Sequence, residues 1–341
     1  MVSKKIGVLL INLGTPDSPN PKDVYKYLLE FLTDKRVIDF GWLKRNLLVR
    51  AIIVPARYKN SARTYQAIWD KEKGSPLMYH SQELAKKVQA QLGDDYIVEL
   101  AMRYQQPSIE YAINQLQNKK VDRIVVVPLY PQYASSSTGT VLDKVMEITK
   151  KDLSVPDLSL IKSYYDFEPF IDAWVTQIKK YDYKKYDKIV FSYHGVPFRH
   201  LIKEDKSKNI CKPQSACCNI MTNENKFCYK AQCHATTRAI VDKLQLDASQ
   251  YEIAFQSRLG KEVWIEPYTV HRLPELAKEG KKNLLVVAPS FVADCLETLY
   301  EIQVELEELF VAAGGEKIQL VESLNSNELW TNAVCELIKQ R

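Results

Sequence analysis

Short, nearly continuous apolar runs recur along this chain, and between them apolar residues return every three or four positions. A run such as 124–128 (Ile-Val-Val-Val-Pro) has no polar face. It suits a strand covered on both sides, as in a parallel sheet with helices on each face. Such runs predict strands at 5–12, 96–104, 123–130, 158–164, 188–193, 251–257, 283–290 and 317–321. Helical periodicity predicts helices at 21–32, 82–92, 109–118, 170–180, 235–244, 294–312 and 327–340. This alternation is the pattern of doubly wound α/β sheets, whose ligand sites lie beyond the carboxyl ends of the strands. At 341 residues the chain is long enough for two such domains.

Two segments echo one another. Asn12-Leu13-Gly14-Thr15-Pro16 and Tyr193-His194-Gly195-Val196-Pro197 both read as a buried strand followed by X-Gly-X-Pro. Glycine relieves the steric limit where the chain leaves the sheet, and proline fixes the turn. The echo fits two similar halves, with convergent turn chemistry as the alternative.

The formal net charge of +5 is too small and dispersed for a nucleic-acid binder, and suits an acidic ligand or an anionic membrane surface. No apolar run approaches the length of a transmembrane helix, and the amino-terminal residues lack the pattern of a secretory leader. A cytoplasmic protein is expected, with any membrane contact peripheral. The segment 40–63 interleaves Trp42, Leu43, Leu47, Leu48, Ile52 and Ile53 with Lys44, Arg45, Arg50, Arg57, Lys59 and Arg63. It fits either a packed amphipathic helix or a basic lip lying on lipid.

Among the chemistry-bearing residues, His194 ends a predicted buried strand, where an imidazole can accept a proton near neutral pH or ligate a metal. A hydrogen-bonded turn histidine is the alternative. Glu297, Glu301 and Glu305 fall at i, i+4 and i+8 of one predicted helix and so share a face. Like charges so spaced repel and need a cation, basic neighbours or solvent to compensate. Such a row can pass a hard divalent cation along the helix, or it can be a solvated acidic face. Position just beyond a strand end favours Glu297 over Glu305. Residues 135–139 (Ser-Ser-Ser-Thr-Gly) offer hydroxyls and N–H groups to an anion but match no nucleotide-binding motif.

Cysteine is absent from the first 210 residues, and five of the seven then crowd together at Cys211, Cys217, Cys218, Cys228 and Cys233. Clustering of this kind speaks for a local metal or cluster site in a reducing compartment rather than a disulfide scaffold. Iron–sulfur and zinc sites both use four soft ligands, and the lack of paired C-x-x-C knuckles lowers the zinc alternative. A regulatory disulfide is the third.

In order along nearly the whole chain, the sequence resembles the ferrochelatases, which insert ferrous iron into a porphyrin. The motifs are Asn12-Leu13-Gly14-Thr15-Pro16, then Arg57 and Tyr65, Gly74-Ser75-Pro76-Leu77 and Arg103-Tyr104. Tyr130-Pro131-Gln132-Tyr133 and Ser192-Tyr193-His194-Gly195-Val196-Pro197 follow. Ser257-Arg258-Leu259-Gly260, Trp264 and Pro267-Tyr268-Thr269 come next, and the series closes with 291–302, which carries Glu297 and Glu301.

The resemblance implies an α/β fold of two Rossmann-like, chelatase-type domains, each a parallel sheet flanked by helices, with a porphyrin cleft between them. The implied domains are 1–162, which carries the pocket lip, and 163–322, which carries the catalytic groups and a cysteine insertion at about 205–228. A terminal helix in 323–341 packs back on the first domain. His194 is implied as proton acceptor and Glu297 as its partner, with His194, Glu297, Glu301 and Glu305 handling the iron. Leu13, Phe31, Leu32, Val37, Tyr65, Tyr104, Tyr130 and Trp264 are implied to meet the macrocycle, and Arg57, Ser75 and Arg103 its carboxylates. The lip implies peripheral contact with the inner face of a membrane.

Animal-type members hold a [2Fe–2S] cluster with one cysteine after Tyr-Pro-Gln-Tyr and three at the carboxyl end, where this chain has Ser135 and only Cys335. Some bacterial members instead carry an internal cysteine set. The implied cluster ligands here are Cys211, Cys217, Cys218 and Cys228, with Cys233 in reserve. The expected reaction is Fe²⁺ insertion into protoporphyrin IX to form protohaem. The alternatives are a chelatase for coproporphyrin III or a haem or iron sensor on the same scaffold. Monomer and dimer both remain open.

Overall fold

A computed structural model describes residues 5–205, 211 and 216–341. Residues 1–4, at the amino terminus where no leader is expected, and 206–210 and 212–215 of the cysteine insertion lie outside that description. The chain divides into two units. The first comprises Met1–Tyr130, Ala134–Ser163 and Ser326–Arg341, and the second Pro131–Tyr133 and Tyr164–Asn325.

In the first unit, strands β1 (Ile6–Gly14), β2 (Tyr96–Tyr104), β3 (Arg123–Pro128) and β4 (Asp157–Leu160) form a parallel sheet in the order β2-β1-β3-β4. Val8, Leu9, Leu10 and Ile11 on β1 and Val125, Val126 and Val127 on β3 are fully buried, as strands covered on both faces must be. Helices Ile109–Asn118 and Thr140–Thr149 contribute Ala112, Ile113, Leu116, Val141 and Val145 to one core. The helix Glu328–Lys339 also belongs here. Gln91 Nε2 donates to Asn332 Oδ1 at 2.7 Å, and Trp330 is buried.

In the second unit, β5 (Lys188–His194), β6 (Tyr251–Gln256), β7 (Asn283–Val287) and β8 (Lys317–Leu320) form a parallel sheet in the order β6-β5-β7-β8. Its strand order is that of the first unit, and the two echoing motifs occupy corresponding places at the ends of β1 and β5. Pro131–Tyr133 pack with this unit: Gln132 Nε2 donates to Thr236 Oγ1 at 2.9 Å, and the Tyr133 N–H to Gln232 Oε1 at 2.7 Å.

One helical expectation is corrected and another refined. The stretch 294–312 is not one α-helix: Glu297–Leu306 winds as a π-helix and only Glu307–Ala312 as an α-helix. The amphipathic 40–63 segment is an α-helix over Trp42–Leu48, a π-turn over Val49–Ile53 and an α-helix over Val54–Ile68. Among the described residues, no helix is long and apolar enough to cross a membrane.

Candidate active site

The histidine is placed by a close backbone approach. After β5 the Gly195 N–H donates to Gln256 O at 2.8 Å. A Cβ at Gly195 would lie 2.9 Å from that oxygen and 3.1 Å from Trp264 Cε3, so only glycine fits. The chain turns out of the sheet there and leaves His194 half-buried at the strand end. Its Nδ1 lies 2.6 Å from Gly195 O. A carbonyl only accepts, so Nδ1 carries the hydrogen, and in the neutral ring the lone pair is left on Nε2. The rings of Trp264 and Phe291 flank the imidazole, with centroids 6.4 and 6.3 Å away.

The carboxylates stand on the π-helix that follows β7. Its start is anchored by Asp294, 4% exposed, which accepts from Asn325 Nδ2 at 2.8 Å and Thr298 Oγ1 at 3.1 Å. Winding wider than 3.6 residues per turn still carries Glu297, Glu301 and Glu305 along one side, and such turns recur at functional sites. Glu301 is the most committed of the three. Ser257 gives it a backbone N–H at 2.8 Å and its hydroxyl at 2.6 Å, and Gln256 Nε2 donates at 3.2 Å. Burial pushes the Glu301 carboxyl above its ordinary range, opposed by the Ser257 hydrogen bond and by His194. Gln256 Nε2 also donates to Glu297 O at 2.9 Å, so one buried amide ties β6 to both glutamates. Glu305 is exposed, and its carboxyl is raised by burial and by Glu308. The row therefore runs from solvent at Glu305 to a hydrogen-bonded interior at Glu301.

The first unit gathers its expected residues into two groups. Leu32 belongs to an apolar cluster with Ile38, Val49 and Val54, against which Phe31 and Val37 pack. Phe31 also meets Tyr104 edge-on at 5.1 Å, and Tyr65 meets Tyr27 at 6.1 Å. The second group is polar. Ser75 Oγ accepts from Thr15 Oγ1 at 2.8 Å. Asp34 accepts from Arg103 Nη2 at 2.5 Å, Thr140 Oγ1 at 2.5 Å and Tyr104 Oη at 3.0 Å. Leu13 is half-buried next to the last residue of β1, Tyr130 packs on the sheet core, and Arg57 is exposed. Burial and Asp34 push the Tyr104 phenol well above its usual range.

Ser257 opens one sequence motif and Gln256 lies in the strand expected at 251–257, but neither pattern reveals their clamp on Glu301. Asp34 was not singled out, and its partners lie 69 to 106 positions away.

Four cysteines converge beside the helix Tyr229–Leu244. The Cys211 and Cys218 thiols interact electrostatically with the Cys228 sulfur, which holds Cys228 well below the usual thiol range and, with burial, raises the other two. Cys217 Sγ lies 3.9 Å from Cys218 Sγ. Cys233 is set apart: it is fully buried beside Tyr229, and burial raises its pKa strongly. Among the described residues, no three His, Cys, Asp or Glu side chains are arranged to hold a single metal ion.

Two four-stranded parallel sheets of this order define a chelatase-type α/β fold. Two solved structures share the fold at 12% identity. The sirohydrochlorin chelatase SirB from Bacillus subtilis subspecies spizizenii, in complex with cobalt, has a TM-score of 0.56 and covers 98% of this chain and 94% of its own. SirB from Bacillus subtilis with Fe³⁺ has a TM-score of 0.52 and covers 98% and 95%. The ferrochelatase family model matches residues 5–341, and the chain belongs to that family. It is 44% identical over 339 residues to a ferrochelatase of Coxiella burnetii (strain Dugway 5J108-111), covering 99% of this chain and 94% of the relative. It is 42% identical over 335 residues to one of Legionella pneumophila (strain Paris), covering 98% and 99%. The protein is a lyase that inserts iron, supplied as Fe²⁺, into protoporphyrin IX in the terminal step of haem synthesis.

Proposed function

We propose that His194 is the base of this reaction and that Glu297, Glu301 and Glu305 handle the incoming iron. The carrying observation is the 2.6 Å contact between His194 Nδ1 and Gly195 O, which leaves Nε2 as the acceptor. Each pyrrole N–H that breaks releases a proton as iron enters. Nε2 takes that proton, and the imidazolium passes it to water before the second leaves. Glu305 meets hydrated iron at the surface, and Glu301 and Glu297 replace its water with carboxylate oxygen on the way in. The Ser257 and Gln256 bonds fix Glu301, so it offers a fixed charge rather than a mobile arm. Leu13, Phe31, Val37, Tyr65, Tyr130 and Trp264 supply apolar surface for a flat macrocycle. Arg103 is engaged by Asp34, so exposed Arg57 is the better partner for a propionate. Replacing His194 in an anaerobic haem-formation assay tests this assignment.

The gathered thiols support a [2Fe–2S] cluster on Cys211, Cys217, Cys218 and Cys228. A cluster of this kind spreads four thiolates over two irons, which is not a single-ion geometry. When bound it supplies a redox-active centre. Cys233, buried against Tyr229, is left out. Purified protein is expected to be brown, and Cys228→Ser to lose at least nine-tenths of the visible absorption. Undiminished colour in that variant, or a colourless zinc-loaded wild type, contradicts the assignment.

The first unit supports peripheral membrane contact through Trp42, Leu43, Leu47 and Ile52, each 60 to 72% exposed beside Lys44 and Arg50. An interfacial segment buries such side chains at the acyl boundary and its basic residues among anionic head groups. Trp42→Glu with Leu43→Glu is expected to cut sedimentation with phosphatidylglycerol vesicles about tenfold. Equal sedimentation of wild type and variant contradicts this contact.

A further inference from the structure

We infer that Tyr229 is a positioning residue for His194 and the link by which the cysteine site acts on the catalytic strand. The inference rests on the assignment of His194 as base. Tyr229 is 4% exposed, and its hydroxyl donates to the His194 backbone carbonyl at 2.8 Å. The same oxygen lies 3.4 Å from Ser290 Oγ, which donates to Gln132 Oε1 at 2.9 Å, and it also meets the buried Cys233 thiol.

Both carbonyls beside the imidazole are thus occupied. Gly195 O receives Nδ1, and His194 O receives Tyr229. The Gly195 N–H is itself fixed on Gln256 O. The peptide that carries the imidazole can tilt only if the Tyr229 bond breaks, and a tilt moves Gly195 O away from Nδ1. A single hydroxyl therefore helps to hold the tautomer that leaves Nε2 free.

Tyr229 is also the first residue of the helix Tyr229–Leu244, and Cys228 is its N-cap. The Cys228 N–H donates to Asn225 O at 2.8 Å and its carbonyl accepts from the Gln232 N–H at 3.0 Å. Farther along, Thr237 Oγ1 and Tyr193 Oη lie 2.8 Å apart, so the body of the helix is pinned to β5 independently. A change at Cys228 therefore acts at the helix start, one residue from the hydroxyl, while the rest of the helix stays in place.

The test is a double-mutant cycle with Tyr229→Phe and Cys228→Ser, read by steady-state kinetics and by imidazole ¹⁵N–¹H NMR. Tyr229→Phe keeps the ring and is expected to lower kcat about tenfold, the effect of one hydrogen bond, with the protoporphyrin KM within twofold. Its His194 spectrum shifts from a pure Nδ1–H pattern to a mixture of tautomers. Cys228→Ser lowers kcat in the wild-type background and adds less than twofold in the Tyr229→Phe background. Wild-type kcat with an unchanged imidazole spectrum in Tyr229→Phe overturns the positioning role. Fully multiplicative effects of the two substitutions overturn the link. Full activity of His194→Ala instead overturns the assignment on which the inference rests, so the failures are distinguishable.

Discussion

His194→Ala is expected to lose roughly 10³-fold in kcat, about 4 kcal/mol of transition-state stabilisation, the mid-range for a general base. The loss should fall on kcat because the apolar side chains proposed to hold the macrocycle stay in place in the variant. Trp264 packs against Gly195, and Phe291 lies on the core of the second unit. Removing a half-buried imidazole at a strand end leaves the buried Val190, Phe191 and Tyr193 intact, so the variant should fold and bind porphyrin. The anaerobic rate of haem formation, with protoporphyrin affinity measured separately by fluorescence quenching, checks both expectations.

Gly14→Ala carries the largest expected cost in stability. Gly14 has φ +112°, a left-handed conformation that glycine adopts freely, and an added Cβ would meet the Tyr104 carbonyl oxygen and carbon. That carbonyl sits in the backbone of β2, where Gly14 pairs with Tyr104, so no side-chain rotation relieves the clash. The end of the β1–β2 pairing must open. The strain alone is worth about 3 kcal/mol, or a fall in Tm on the order of 10 °C. Because Tyr104 also donates to Asp34, the polar centre that holds Arg103 and Thr140 should loosen with it. Thermal unfolding followed by circular dichroism reads the shift, and a Tm within 2 °C of wild type contradicts the close approach.

The sheets were legible in the sequence because a doubly covered strand has to be continuously apolar. The strand Tyr96–Tyr104 and the helices Pro21–Leu32 and Ile109–Asn118 were read to the residue. The strand expected at 158–164 ends at Leu160; the Ile161 N–H still donates to Val126 O, but the chain then leaves the sheet. The helix Thr269–Lys278 was missed, with Pro274 inside it breaking the usual pattern. The π-winding of Glu297–Leu306 left no trace either, since i→i+4 and i→i+5 bonding use the same residue types. At the candidate site, glutamate spacing exposed the carboxylate row and the Gly-x-Pro exit exposed His194. The clamp from Gln256 and Ser257 and the Asp34 centre depend on contacts between distant segments, to which local patterns are blind.

Chemical rescue of His194→Ala by imidazole, in the anaerobic Fe²⁺ and protoporphyrin assay, tests the central claim most directly. If His194 Nε2 takes the pyrrole protons, added imidazole should raise the residual rate at least tenfold and in proportion to its neutral form. A residual rate that ignores imidazole at every concentration, or a variant as fast as wild type without it, contradicts the account.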